Sequence, residues 1–119
     1  MIKREKRVAR ENRQARVRRR LRGTDRRPRL CVYRSNRHTY AQVISDESGK
    51  TLVAASTLAL ADEQKRTGNR SAAKRIGELI GQLCLERAIG EVVFDRNGFL
   101  YHGRVKEVAE GARAAGLKF

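Results

Sequence analysis

At 119 residues the chain is one domain with room for a tail, and it can bury roughly two thirds of its unfolded surface, so no large active-site cleft is expected. Its 28 Lys and Arg against 13 Asp and Glu leave a net charge of +15, and no apolar run approaches the roughly 18 residues of a membrane span. Such an excess points to a polyanionic partner, because counterion release from nucleic acid favours polycation binding without special geometry.

The charge is uneven along the chain. Met1 to Arg29 holds fourteen basic residues against Glu5, Glu11 and Asp25, a net +11, and the rest of the chain carries only +4. A basic arm, residues 1–24, therefore precedes a nearly balanced domain, residues 25–119. The arm lacks Gly and Pro from residue 3 to residue 22 and is rich in good helix formers. Val8, Ala9, Ala15, Val17 and Leu21 give such a helix little to pack on the domain. The expectation is an arm disordered or frayed alone, turning helical when phosphates neutralise Arg4, Arg7, Arg10, Arg13, Arg16, Arg18, Arg19, Arg20 and Arg22. Its start has no apolar segment of the secretory kind, and Glu5 and Glu11 argue against an organelle transit peptide, so a cytosolic location is expected.

Gly23, Thr24 and Asp25 mark a hinge, and Pro28 suits a strand entry. Alternating apolar residues predict strands over Arg29–Ser35, Thr39–Ser45 and Thr51–Ser56, with Gly49 available for the turn in "DESGK". The tip between the first two strands, "YRSNRHTY", is unusual. Arg34 and Arg37 can hold phosphates bidentately or stack on bases, Ser35 and Asn36 can reach sugars or base edges, and His38 and Tyr40 offer rings. Packing across the hairpin explains Tyr33 and Tyr40 equally well, but leaves the arginines and Asn36 unexplained.

From Asn69 the period becomes helical, with Ala72, Ala73, Ile76, Leu79, Ile80, Leu83 and Cys84 on one stripe and Asn69 or Ser71 as N-cap. The stretch "RTGNRSAAKR", Arg66 to Arg75, is basic, but a capped helix start explains it as well as an RNA contact does. Gly77 and Gly81 each cost about 1 kcal/mol against Ala inside a helix, so something comes close to that backbone, and the sheet is the expected neighbour. Gly90 is expected to break the chain before a buried strand in "EVVF". A last helix starts near Gly103 or Arg104 with Val105, Val108, Ala109 and Ala112 inward, and Gly116 stops it. The preceding segment, "FDRNGFLYHGR", supplies Arg96, Asn97, Tyr101, His102 and Arg104 beside the positive end of that helix, with Gly98 and Gly103 permitting close approach.

The order βββαβα implies an α/β fold with a mixed sheet, since a strand after a long helix usually returns parallel. A ribonuclease-H-like architecture shares that order, so an enzyme has to be weighed. Two-metal phosphoryl chemistry needs several carboxylates around ions about 4 Å apart, yet the first strand, "RLCVYRS", has no acid. Glu78 and Asp95 are the remaining candidates, and Asp95 reads more simply as a local turn residue. His38 and His102 form no recognised nucleophile arrangement, and Cys31 and Cys84 have no CxxC partner and read as buried hydrophobes. The residues describe a binder with no catalytic residues, metal, cofactor or small-molecule substrate.

Three segments, "RPRLCVYRSNRHTYAQVISD", "NRSAAKRIGELIGQLCLERAI" and "VVFDRNGFLYHGRVKEVAEGARAAGLKF", together with the arginine-rich start, resemble the bacterial family of large-subunit ribosomal protein eighteen over nearly the whole chain. Ser45 departs from the family's pattern, in which an acidic pair follows the second strand. The resemblance implies a noncatalytic, ribosome-bound cytoplasmic protein that binds 5S rRNA and helps attach it to 23S rRNA in the central protuberance, beside neighbouring large-subunit proteins. It also implies a ribonuclease-H-like mixed fold without the catalytic acids. Carried onto this chain, its RNA-binding parts are the basic arm, the Arg34–Tyr40 tip and the Arg96–Arg104 segment.

Overall fold

The computed structural model describes residues 3–18, 22–60 and 69–119. Its elements run α1 (Lys3–Arg18), β1 (Arg29–Arg34), β2 (Thr39–Ser45), β3 (Lys50–Ser56), a 3-10 turn (Thr57–Leu60), α2 (Arg70–Glu86), β4 (Val93–Asp95) and α3 (Arg104–Ala114). The strands lie in the order β3-β2-β1-β4. β1, β2 and β3 are antiparallel neighbours, whereas β4 runs parallel to β1 with Cys31 beside Asp95. The sheet is thus mixed, with helices packed on it.

Alternation along the strands separates two faces. Leu30, Val32, Ala41 and Val43 are wholly buried against Ile76, Ile80 and Cys84 of α2 and Val105, Val108 and Ala112 of α3. Each such aliphatic side chain contributes about 1.5–3 kcal/mol over exposure, so this one layer holds the domain together. α2 lies over β2 and β3, and α3 over β1. Burial without a compensating charge pushes the Cys84 thiol up to about 11, and Cys31 is buried too. Both cysteines therefore pack as small hydrophobes. On the opposite face stand Tyr33, Tyr40, Gln42 and Ile44, all at least partly open to solvent.

α2 starts as expected, with the Asn69 side chain accepting from the Ala72 amide at 2.9 Å. Its end differs. The helix stops at Glu86, and Ala88 takes the left-handed conformation, φ 62°, while the Ile89 amide returns to the Cys84 carbonyl at 2.8 Å. The break comes before Gly90, which is not among the positive-φ residues. Gly116, φ 116°, does end α3.

The close neighbour of Gly77 and Gly81 is α3 rather than the sheet. A Cβ at Gly77 would run into the Val108 carbonyl and come within 3.0 Å of the Ala112 amide, and one at Gly81 would meet the Ala115 methyl at 2.6 Å. Gly111 answers from the other side, where a Cβ would strike the Lys74 carbonyl and lie 3.2 Å from the Gly77 Cα. The two helices cross backbone to backbone, which side chains at these positions would prevent.

β4 is shifted toward its C-terminal side relative to "EVVF", spanning Val93–Asp95. The Val92 amide is taken by the Lys118 carbonyl and the Val93 amide by Pro28, at 3.1 and 2.9 Å. The chain's last residues thereby continue the sheet's edge, with Phe119 stacked on Phe94 at 5.7 Å.

Candidate RNA interface

Parallel pairing of β4 with β1 carries the loop after β4 to the tip of the β1–β2 hairpin. Phe99 stands edge-on to Tyr33, ring centroids 5.7 Å apart, and the Arg34 guanidinium lies 5.2 Å from the Phe99 ring centre. Arg104, at the start of α3, donates to the His38 carbonyl at 3.4 Å. The two basic segments, far apart in sequence, form one surface.

Within the tip the residues divide into turn builders and outward groups. The Ser35 amide donates to the His38 carbonyl at 2.9 Å, and the Ser35 hydroxyl accepts from the His38 amide at 3.3 Å. His38 Nδ1 lies 3.1 Å from the buried Thr57 hydroxyl. Tyr33 and Tyr40 are cross-strand partners with centroids 5.9 Å apart, the hairpin packing that the sequence left open. Arg34, Asn36 and Arg37 are exposed. Burial lowers the Arg104 pKa, and the nearby charge of Arg34 lowers it further. Arg104 thus feels the charge of Arg34 as well as the cost of its own burial.

In the second segment Arg96 donates to the Phe99 carbonyl at 3.1 Å, closing its own turn. Asn97 is buried at φ 55°, and its amide donates to Asp95 at 2.8 Å. The Tyr101 ring faces Phe94, and its hydroxyl accepts from Arg113 at 3.3 Å, away from the tip. His102 is exposed. Phe99 lies inside the segment that the sequence singles out, but is not among the residues named from it. Its flanking glycine and its place in a basic turn were the available signal.

The arm has more to pack on than its few apolar residues suggested. Arg10 donates to the Asn97 carbonyl at 3.0 Å and Arg13 to the Gly98 carbonyl at 2.8 Å, while Gln14 bonds the Asn97 side chain. The Arg10 guanidinium also sits 4.8 Å from the Phe99 centroid and 5.7 Å from that of Tyr33. Gly98, φ 76°, makes this fit possible, since a Cβ there would collide with the Arg10 carbonyl and come within 2.9 Å of the Gln14 amide. Polar and cation–π contacts thus replace the missing apolar face. Arg7 pairs with Glu11 at 3.8 Å on the exposed side, where Arg16 also lies. Arg4 and Arg18 fall on the helix, Arg22 is exposed beyond it, and Arg19 and Arg20 lie outside the described residues, as does Arg66.

A largely buried ionic cluster ties the start of β1 to the chain after β2 and to the end of β4. Arg29 donates to Asp95 at 2.6 Å and to both oxygens of Asp46 at 3.1 and 3.3 Å, and Asp46 also accepts from the Gly23 amide at 2.7 Å. Burial disfavours the guanidinium charge, but its hydrogen bonds to Asp46 and Asp95, with the charges of those carboxylates, together outweigh it and raise the Arg29 pKa. Asp95 is therefore a structural counter-ion rather than only a turn residue. The Arg29 hydrogen bond, with that from Gly23, holds Asp46 below the ordinary carboxylate range. A lowered folded-state pKa stabilises above the unfolded value and is lost as pH falls through the folded one. Asp46→Asn is accordingly expected to flatten the stability loss below about pH 4, measured by urea unfolding at stepped pH. An unchanged acid limb would place the loss elsewhere.

Comparison with known proteins supplies the family. Residues 4–119 match the family model described as ribosomal L18 of archaea, bacteria, mitochondria and chloroplast. The large ribosomal subunit protein uL18 of Moorella thermoacetica is 58% identical over 119 residues, 99% of this chain and 98% of the relative. Its counterpart in Syntrophotalea carbinolica is 59% identical over 96% of this chain and 95% of the relative. The Thermotoga petrophila protein of that name is 56% identical over the full length of both. The chain belongs to the ribosomal L18 family, whose members are structural proteins of the ribosome and not enzymes.

Proposed function

We propose that this chain binds 5S rRNA in the large ribosomal subunit and helps attach it to 23S rRNA in the central protuberance, beside neighbouring large-subunit proteins. The observation that carries this reading is the joining of Arg34, Phe99 and Arg104 on one surface. Two adjacent guanidinium groups gain from an anion between them, and the rings beside them suit unstacked bases. The exposed Asn36, Arg37 and His102 extend the surface, and Arg4, Arg7, Arg16, Arg18, Arg19, Arg20 and Arg22 supply the arm's further charge. Two anchors on one chain raise effective concentration, which suits bridging two RNAs. The sheet order, with β4 alone parallel, supports a ribonuclease-H-like motif whose first strand has lost its acids.

Binding of the intact chain to 5S rRNA and to a length-matched control RNA across a salt series tests the proposal. A 5S preference that persists as salt rises is expected, because the ion-release contribution fades while shape-specific contacts remain. Removing residues 1–24 should lower affinity for both RNAs and flatten the salt slope, whereas Arg34→Ala should lower the preference. Equal affinities with parallel steep slopes would overturn the reading in favour of a general polyanion binder.

A further inference from the structure

Between α1 and the open face of the sheet runs a groove of about 570 Å³. Arg10 and Gln14 line it from the helix, Tyr33, Tyr40 and Gln42 from the strands, and Asn97 from the loop. Its chemistry differs from that of the basic surface around it. Phosphate needs cations, but this groove is lined chiefly by rings, side-chain amides, Cys31 and Ile44, and its one guanidinium, Arg10, is engaged by the Asn97 carbonyl and lies 5.7 Å from the Tyr33 ring centre.

Tyr33 and Tyr40 are tilted at 45° to each other rather than stacked, so neither ring covers the other's face, and Tyr33 is 44% exposed. Gln42, next to Tyr40 on the same face of β2 and across from Cys31 of β1, is exposed and carries both a donor and an acceptor, the combination that the pairing edge of every base presents. A base inside a helix keeps its faces against its neighbours and its pairing edge occupied. An unpaired base offers both, and it is the element that aromatic and amide groups recognise in RNA. Exposed Arg7 and Arg16 on α1 and Arg34 beside Phe99 are cations within the same domain that flanking phosphates could use.

We infer that the groove takes one unpaired nucleobase of the bound RNA, stacked on a tyrosine and read by the Gln42 amide. This rests on the RNA-binding function proposed above and adds which part of the RNA enters. Gln42 is then a specificity-determining contact on the sheet, outside the arm and the two basic segments.

The test uses the full chain and a short single-stranded RNA carrying one 2-aminopurine, with a hairpin that pairs the same sequence as comparison. The native chain is expected to quench the unpaired probe by stacking and to leave the paired one unchanged. Gln42→Phe fills the groove with a residue that suits a strand, and should weaken single-strand binding about tenfold with the salt slope unaltered. Tyr33→Leu removes a ring face while keeping bulk, and is expected to act in the same direction, which guards against a folding defect in the first variant. Equal quenching of paired and unpaired probes, or single-strand binding unchanged in both variants, would overturn the inference. Retained 5S preference with no effect of either variant sinks the groove alone, whereas loss of 5S preference in the native chain sinks the proposed function.

Discussion

Arg29→Met is expected to cost about 3–5 kcal/mol of folding stability and to lower the melting temperature by on the order of 10 °C or more. The guanidinium is nearly buried, 8% exposed, and Asp95 is entirely so. Methionine matches the length of the arginine stem but leaves the buried Asp95 carboxylate, which keeps the Asn97 amide, without its cation. A buried ion pair adds little against a well-packed apolar substitute, yet removing one partner leaves a desolvated charge, and that is where the cost arises. Asp46 is less affected because its side chain is 29% exposed and can turn to water. Adding Asp95→Asn to Arg29→Met should recover much of the loss, a coupling that urea denaturation of the two single variants and the double variant would measure. A single-variant loss under about 1 kcal/mol, the range of surface pairs, would show that the cluster is not sealed.

Gly77→Ala is expected to destabilise the domain by about 2 kcal/mol despite the better helix former it introduces. Intrinsic propensity favours alanine by about 1 kcal/mol. Against that, the new methyl falls on the Val108 carbonyl, and α2 and α3 have to part to admit it. Overpacking of this kind costs roughly 1–3 kcal/mol, more when backbone rather than a flexible side chain has to move. Gly90→Ala is the internal control, because a Cβ there meets nothing within 4 Å. Thermal melts of both variants decide the matter: a stabilised Gly77→Ala would mean that the helices are not in backbone contact.

What the sequence made legible follows from what each kind of residue reports. The stripe Ala72, Ala73, Ile76, Ile80 and Cys84 reports a buried helix face because period and burial are the same physical fact. Alternation in β1 and β2 reports strands for the same reason. A glycine inside a helix reports only that something is close, so Gly77 and Gly81 signalled a neighbour without saying whether it was the sheet or α3. The capping Asn69 was readable, but the left-handed Ala88 was not, since alanine carries no mark of that conformation. Nothing in the sequence ties Arg29 to Asp95, because only the parallel return of β4 brings the two together. Of the candidate interface, the residue types were plain in "YRSNRHTY" and "FDRNGFLYHGR". Their union across Phe99, and the seating of α1 on Gly98, depend on the fold.

The parallel partnership of β1 and β4 also sets an order of events during folding. β1, β2 and β3 are joined by tight turns and can pair as soon as they exist, whereas Arg29 meets Asp95 across 66 positions of chain. Closing so long a loop delays non-local pairing relative to the hairpins. An unfinished chain ending before β4 would hold the hairpin tip and the basic arm, but neither Phe99 nor Arg104. On the function proposed above, it would carry the arm's charge but only part of the RNA surface. On that function, the surface that joins Arg34, Phe99 and Arg104 is completed last, when the C-terminal third folds into place.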